Sequence, residues 1–105
     1  MASSKEYLNF ILEQLSDLEG VSFRPMMGEY LLYCQGKLFG GIYDDRLLVK
    51  AVPAAVTLLS PAIYEIPYPG AKEMLLVESV DDRESLCELV KAMVPELPQP
   101  KTKSR

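Results

Sequence analysis

The stretch VSFRPMMGEYLLYCQGKLFGGIYDDRLLVK, residues 21–50, decides the fold of this chain. Apolar side chains recur in it with a period of two, which is typical of β-strands, and a turn-forming pair interrupts the pattern at short intervals. The turn-forming pairs are Met27-Gly28, Gln35-Gly36 and Asp44-Asp45. The stretch therefore predicts four antiparallel strands joined by tight turns into a β-meander, over residues 21–26, 29–34, 37–43 and 46–50.

The second predicted strand is apolar on both of its faces. Tyr30, Leu32 and Cys34 point to one side of the sheet, and Leu31 and Tyr33 point to the other. A sheet with two apolar faces needs cover on at least part of each, and helices are the available cover. We therefore expect helices to pack against both faces.

A helix is predicted before the meander. Ser3 and Glu6 form a capping-box pattern at its start, and Gly20 supplies the permissive backbone that ends it. Between these points the apolar stripe recurs at steps of three and four, and it consists of Tyr7, Phe10, Ile11, Leu15 and Leu18.

Two further helices and one strand are predicted after the meander. A short apolar helix covers residues 53–59, and a strand follows over residues 72–77. Asp81 and Glu84 repeat the capping-box pattern and begin a last helix, which Pro95 ends. The order α-β-β-β-β-α-β-α defines an α+β fold with an antiparallel meander sheet and N-terminal, middle and C-terminal helices.

The 105 residues, 49% of them hydrophobic, suit one globular domain. We expect this domain to span residues 1–95. Residues 96–105 are rich in proline and then basic, with too little apolar surface to pack, so a disordered tail is expected there.

Charge and residue content exclude several functions. The 11 basic and 15 acidic residues give a net charge of −4, and without residues 95–105, which hold three basic residues and one acidic, eight against fourteen leave −6. A protein that binds nucleic acid directly normally carries a basic face, so direct binding is not expected. The chain has no histidine, which removes most catalytic triads, Cys-His dyads and zinc sites, so we expect no enzymatic activity, no catalytic residue and no cofactor.

The cysteines and the N-terminal residues indicate a cytoplasmic protein. Cys34 and Cys87 are 53 positions apart without metal-ligand spacing, and they fit buried thiols in a reducing compartment. Acidic pairs are expected to be structural, Asp44-Asp45 at a turn and Asp81-Asp82 at a helix start, so no metal site is predicted. The sequence has neither a signal-peptide pattern nor an apolar run of membrane-spanning length, and no contact with a membrane is expected.

Three motifs follow one another along the meander. Arg-Pro-Met-Met-Gly occupies residues 24–28, Gly-Lys-Leu-Phe-Gly occupies residues 36–40, and Leu-Leu-Val-Lys ends at Lys50. In order and spacing these motifs resemble the TfoX N-terminal domain family, the first module of the TfoX/Sxy competence regulators, and the resemblance covers about residues 6–93. It implies an antiparallel sheet with helices, similar to the type III secretion chaperone architecture.

For function, the resemblance implies kinship with regulators that help the cyclic-AMP receptor protein to activate competence genes. Those regulators carry a second, C-terminal domain associated with DNA-linked activity. The 105 residues leave no room for such a domain, so a stand-alone N-terminal domain is expected.

The motif residues have both a binding and a structural interpretation. The Arg24 guanidinium, with Lys50, fits an anion or an acidic partner, or else an internal ion pair with an acid such as Glu29. Met26, Met27 and Phe39 form either an adaptable contact patch or part of the core. The pair Gly40-Gly41 lies within a strand, where it favours close packing or a bulge rather than a phosphate site.

The favoured hypothesis is a non-enzymatic protein-interaction module that acts in transcription through a protein partner, such as a transcription factor. Its working surface is the first hairpin, where Gly28 shapes the turn, cations supply charge and apolar side chains supply contact area. The alternative is a protein that binds a small anionic molecule between the sheet and the loop over residues 64–70, with Arg24 and Tyr64 or Tyr68 as polar contacts. Exposed strand edges also permit a homodimer. The predicted partner-binding residues are Arg24, Met26, Met27, Gly28, Lys37, Phe39 and Lys50.

Overall fold

A computed structural model describes residues 4–98. Over these residues, three α-helices and six strands confirm the predicted α+β class, and the element order differs from the predicted one by a single additional short strand after the second helix. The elements are α1 (Lys5–Gln14), β1 (Val21–Met26), β2 (Glu29–Cys34), β3 (Lys37–Ile42), β4 (Leu47–Val49), α2 (Pro53–Leu58), β5 (Tyr64–Glu65), β6 (Met74–Leu76) and α3 (Arg83–Met93), which continues into a short 3-10 helix (Val94–Glu96).

The strands form one antiparallel sheet in the order β1-β2-β3-β4-β6-β5. The first four strands are the predicted meander, each paired with the next along the chain. After α2 the chain returns to the sheet as β6 beside β4 and β5 beyond it. Strands β1 and β5 are therefore the two edges of the sheet.

The three meander turns have the geometry that tight hairpins require. Both central residues of each turn adopt a positive φ, which is the type I′ arrangement that matches the twist of the flanking strands. The φ angles are 51° and 86° for Met27-Gly28, 55° and 80° for Gln35-Gly36, and 54° and 56° for Asp44-Asp45. The predicted turn positions are confirmed.

All three helices contribute to one hydrophobic core on the same face of the sheet. The core includes Leu8 and Ile11 of α1, Ala55 of α2, and Leu89 and Met93 of α3. The strand residues in this core are Leu32, Cys34, Phe39, Ile42, Leu47, Val49 and Leu75. The expectation that helices cover both faces is therefore wrong for the described residues, because the three helices also pack against one another and stay on one side of the sheet.

Both predicted helix starts are displaced by one residue. The hydroxyl of Ser4, rather than that of Ser3, caps α1 and accepts a hydrogen bond from the backbone N–H three residues further on, at 3.1 Å. Asp82, rather than Asp81, caps α3 in the same way, at 3.2 Å. In each case two adjacent residues of the same type could serve as the cap.

The first helix is shorter than predicted. It ends at Gln14, and the chain reaches Gly20 through turns rather than through further helix. Leu15 and Leu18 lie in these turns and still pack against the core, so the apolar stripe is used although the helix has ended. Gly20, with φ of 80°, then leads into β1.

The packed domain also extends beyond its predicted end. Glu96 belongs to the 3-10 helix, and Leu97 is buried within the core. The expectation of a disordered tail from residue 96 is therefore wrong for these two residues. The rest of the predicted tail, residues 99–105, lies outside the described residues.

Candidate interaction surface

The face of the sheet opposite the helices is formed by alternate residues of the same strands. The registers place Arg24, Leu31, Gly41, Leu48 and Leu76 in one row across five strands. Successive side chains of a strand point to opposite faces, and the neighbouring row contains the helix-packed core residues. We call this second surface the open face. Its residues are Arg24, Met26, Leu31, Tyr33, Leu38, Tyr43, Leu48 and Leu76.

A tyrosine ring fills the middle of the open face. A Cβ atom on Gly41 would lie 2.7 Å from Cε2 of Tyr43, so the ring occupies the space that a side chain at position 41 would take. The Tyr43 ring also contacts Tyr68, with ring centroids 6.1 Å apart. Burial, together with the nearby Tyr68, Glu29 and Tyr33, raises the pKa of the Tyr43 hydroxyl, which therefore stays neutral at physiological pH. The predicted role of the double glycine in close packing is confirmed.

The surroundings of this ring are apolar and only partly covered. Leu48 is fully buried beneath its neighbours, whereas Leu31, Tyr33, Leu38 and Leu76 are half-buried. Five strands present such side chains, and no helix of residues 4–98 covers them, so this side of the sheet is an apolar and partly exposed surface. An uncovered apolar surface is a candidate site of contact with another molecule.

Two cations border the open face without ionic partners. Arg24 is exposed on β1, and Lys50 directly follows β4. Among residues 4–98 neither side chain forms an ion pair or a hydrogen bond. The internal pair between Arg24 and Glu29 does not form, and an oxygen of Glu29 accepts a hydrogen bond from the backbone N–H of Asp44 at 3.2 Å instead.

The first hairpin turn exposes an apolar side chain at its tip. Met27 is 95% exposed and adopts the left-handed conformation, which asparagine or glycine occupies at lower energy. Gly28 completes the turn as predicted, and Met26 is half-buried on the open face. Methionine at position 27 benefits neither the turn nor the core, which favours a role in contact with a partner.

Two of the predicted partner-binding residues lie inside the domain. Phe39 is fully buried in the helix-packed core, because a β-bulge between β2 and β3 leaves it unpaired and directs its ring inward. Lys37 is half-buried, and its Nζ donates a hydrogen bond to the carbonyl oxygen of Val94 at 3.1 Å, at the end of α3. We therefore exclude Phe39 and Lys37 from the contact surface.

The hydrogen bond from Lys37 predicts a measurable structural role. We expect Lys37→Ala to lower the free energy of unfolding by about 1.5 kcal/mol, because the last turn of α3 loses a charged donor at its carbonyl end. Lys50→Ala, which removes a cation without a hydrogen bond, should change it by less than about 0.5 kcal/mol. Urea unfolding followed by circular dichroism measures both values. Equal effects of the two substitutions would contradict the assigned role.

The predicted small-molecule pocket does not form with Arg24 and Tyr64 as its polar contacts. Arg24 lies on one edge strand and Tyr64 on the other, so five strand spacings, about 24 Å, separate them. Tyr64 also pairs with Leu75 and thus belongs to the helix side of the sheet, whereas Tyr68 packs on Tyr43. Arg24 and Tyr64 therefore cannot hold one small anion, and the alternative hypothesis is wrong in this respect.

The fold and this surface define a small α+β domain with a helix-covered face and an open face. Its sequence matches the TfoX N-terminal domain family over residues 13–94, and the chain belongs to that family. The resemblance of the three meander motifs is thereby confirmed. The family suggests a regulatory role related to competence.

A curated relative from Spirochaeta aurantia is 30% identical over 102 residues, which cover 96% of this chain and 89% of the relative. Its description is "Uncharacterized 12.7 kDa protein in trpE 5′ region". No solved structure matches the chain, so the implied similarity to secretion chaperones stays a prediction. No helix among the described residues is long and apolar enough to cross a membrane.

Proposed function

We propose that this chain is a non-enzymatic, cytoplasmic protein-interaction module that acts in transcriptional regulation through a protein partner. The observation that carries the proposal is the open face, an apolar sheet surface that no helix of the described residues covers. A monomer that functioned alone would gain stability by covering these side chains. Leaving them only partly covered is useful when another protein supplies the rest of the cover.

The charges around the open face support a partner with acidic and apolar side chains. Arg24 and Lys50 border it without ionic partners among residues 4–98, although the chain as a whole is acidic. Exposed Met27 adds an unbranched side chain that adapts to different partner shapes. A guanidinium binds a carboxylate through two parallel hydrogen bonds, so the contact has a defined orientation as well as affinity.

The same charges argue for regulation through a protein rather than by direct contact with DNA. The net charge of −6 without residues 95–105 repels a phosphate backbone. Two cations at the border of an apolar sheet suit a partner interface better than a groove of DNA. We therefore assign the recognition of DNA bases to the partner.

The test compares a variant of this surface with a variant of equal charge elsewhere. Affinity capture from the native cytosol uses the wild type, the double variant Met27→Ser/Lys50→Glu, and the control Lys5→Glu. Lys5 is an exposed lysine at the first position of α1, on the helix side of the molecule. Each captured protein is then purified, and its affinity for the three chains is measured by calorimetry.

We expect one protein to bind the wild type and the Lys5→Glu variant alike. It should bind the double variant at least about tenfold more weakly, because the interface loses the exposed Met27 side chain and gains a negative charge that repels an acidic partner. A partner that binds all three chains with equal affinity would overturn the open face as the contact surface. Capture of no protein by the wild type would overturn the proposed function.

A further inference from the structure

Among residues 4–98 no strand pairs with the outer edge of β1, and its outward backbone groups follow a defined pattern. The carbonyl of Gly20 accepts a hydrogen bond from the N–H of Gln35 at 2.8 Å, which fixes the alternation of paired and unpaired residues along the β1–β2 ladder. The N–H and C=O groups of Val21 and Phe23 therefore point away from β2, at the free edge of the sheet. Pro25 is also at an outward position, where it offers a carbonyl but no donor.

An apolar groove runs beside this edge, under α1. It has a volume of about 450 Å³, and its lining includes Leu12, Leu18, Val21 and Phe23. Phe23 rests against Tyr30, with ring centroids 5.9 Å apart, yet 41% of its surface remains exposed. The edge thus combines an exposed aromatic side chain with a groove able to receive one.

Opposite charges lie within β1 and just before its first residue. Arg24 is exposed within β1, and Glu19 is exposed just before it. Neither side chain has an ion pair or a hydrogen bond among residues 4–98. Arg24 is the fourth residue of β1 and Glu19 precedes the strand by two positions, so a second β1 that runs antiparallel brings each of them near the other residue of its copy.

We propose that β1 pairs with β1 of a second copy of this chain, antiparallel and with the two-fold axis at Ser22. This register places Val21 opposite Phe23 of the second copy, and each such pair exchanges two backbone hydrogen bonds, four in total. Pro25 then lies beyond the paired stretch. A register centred on Phe23 would instead set the proline ring against the Val21 carbonyl, where a donor is needed.

The same register makes the side chains self-complementary. Directly paired residues share a face, so Phe23 of the second copy enters the groove beside Val21. Arg24 lies opposite Gly20 of the second copy and reaches Glu19 there, and the two-fold axis repeats both contacts. The two sheets continue into one, with both open faces on the same side.

The size of this contact sets the expected affinity. A short ladder, two phenylalanine rings and two ion pairs bury on the order of 1,000 Å² in total, at the low end of specific interfaces. We expect a dissociation constant of roughly 10–100 µM for the homodimer. This association does not depend on the proposed function: the dimer uses the outward backbone groups of β1 and shares only Arg24 with the open face, which the Met27 and Lys50 variant tests at other positions.

The experiment is a charge exchange between the two residues. Sedimentation velocity of the wild type, Arg24→Glu, Glu19→Arg and the double variant is measured from about 5 to about 500 µM. We expect each single variant to dimerise at least about tenfold more weakly than the wild type, since two ion pairs become like-charge contacts. The double variant should regain dimerisation, because it restores both pairs in reverse.

Amide hydrogen exchange identifies the paired strand directly. Exchange at Val21 and Phe23 should slow as the concentration rises, whereas exchange at Tyr64 on the opposite edge should not change. A wild type that stays monomeric at the highest concentration overturns the proposal, as does a double variant that dimerises no better than the single ones. The Met27→Ser/Lys50→Glu variant should dimerise normally, so a failure of the dimer and a failure of the open face are distinguishable.

Discussion

Gly40→Ala should lower the free energy of unfolding by about 3 kcal/mol, among the largest effects of any single methyl group in this chain. A Cβ at position 40 would lie 2.2 Å from the carbonyl oxygen of Leu48 and 2.9 Å from Cα of Val49. Both atoms belong to the backbone of the paired strand β4, so no side chain can rotate away to make room. The strands must separate at the centre of the sheet, and urea unfolding measures the loss.

Gly70→Ala is the matched control. A Cβ there would meet no atom within 4 Å, although its φ of 88° is unfavourable for alanine. We expect a loss of about 1 kcal/mol from this backbone strain alone. If both variants unfold at the same urea concentration, the close approach of β4 is not the reason that position 40 requires glycine.

The meander was predictable because its information is local. A two-residue turn fixes the register of the strands on both sides, so the bounds of β1 and β2 follow directly from the positions of Met27-Gly28 and Gln35-Gly36. The short strand β5 is the outermost strand at the other edge of the sheet. No tight turn joins β5 to β6, so the sequence alone did not indicate that these two strands pair.

The choice of cap residue for α1 could not be predicted from neighbouring residues alone. Ser3 and Ser4 are equivalent by residue type, yet the N–H of Ser4 donates a hydrogen bond to a carboxylate oxygen of Asp45 at 2.8 Å. That carboxylate lies 41 positions away, at the turn between β3 and β4. Its negative charge is also favourable beside the N-terminus of α1, where the helix dipole is positive. The contact belongs to the folded chain, so a pattern of neighbouring residues could not distinguish the two serines.

The open face could be predicted only in part. Alternation in β2 correctly showed that both faces are apolar, and Arg24 and Met26 follow from the same alternation in β1. Alternation does not show which face the helices cover, because that depends on how α1, α2 and α3 pack against one another. The one available signal was the double glycine next to Tyr43, since a glycine within a strand marks the close approach of another group.

Phe39→Ala should lower the free energy of unfolding by about 4 kcal/mol, because the ring is fully buried and its removal leaves a cavity among α1, α3 and the sheet. Met27→Ala removes an equally apolar side chain from the same meander, but that side chain is 95% exposed, so we expect a change within about 0.5 kcal/mol. Urea unfolding with a common slope for all chains gives both values. Similar losses for the two variants would mean that the bulge does not turn Phe39 inward, and Phe39 would return to the set of contact residues. A large loss for Phe39→Ala alone assigns it to the core and leaves Met27 available for binding.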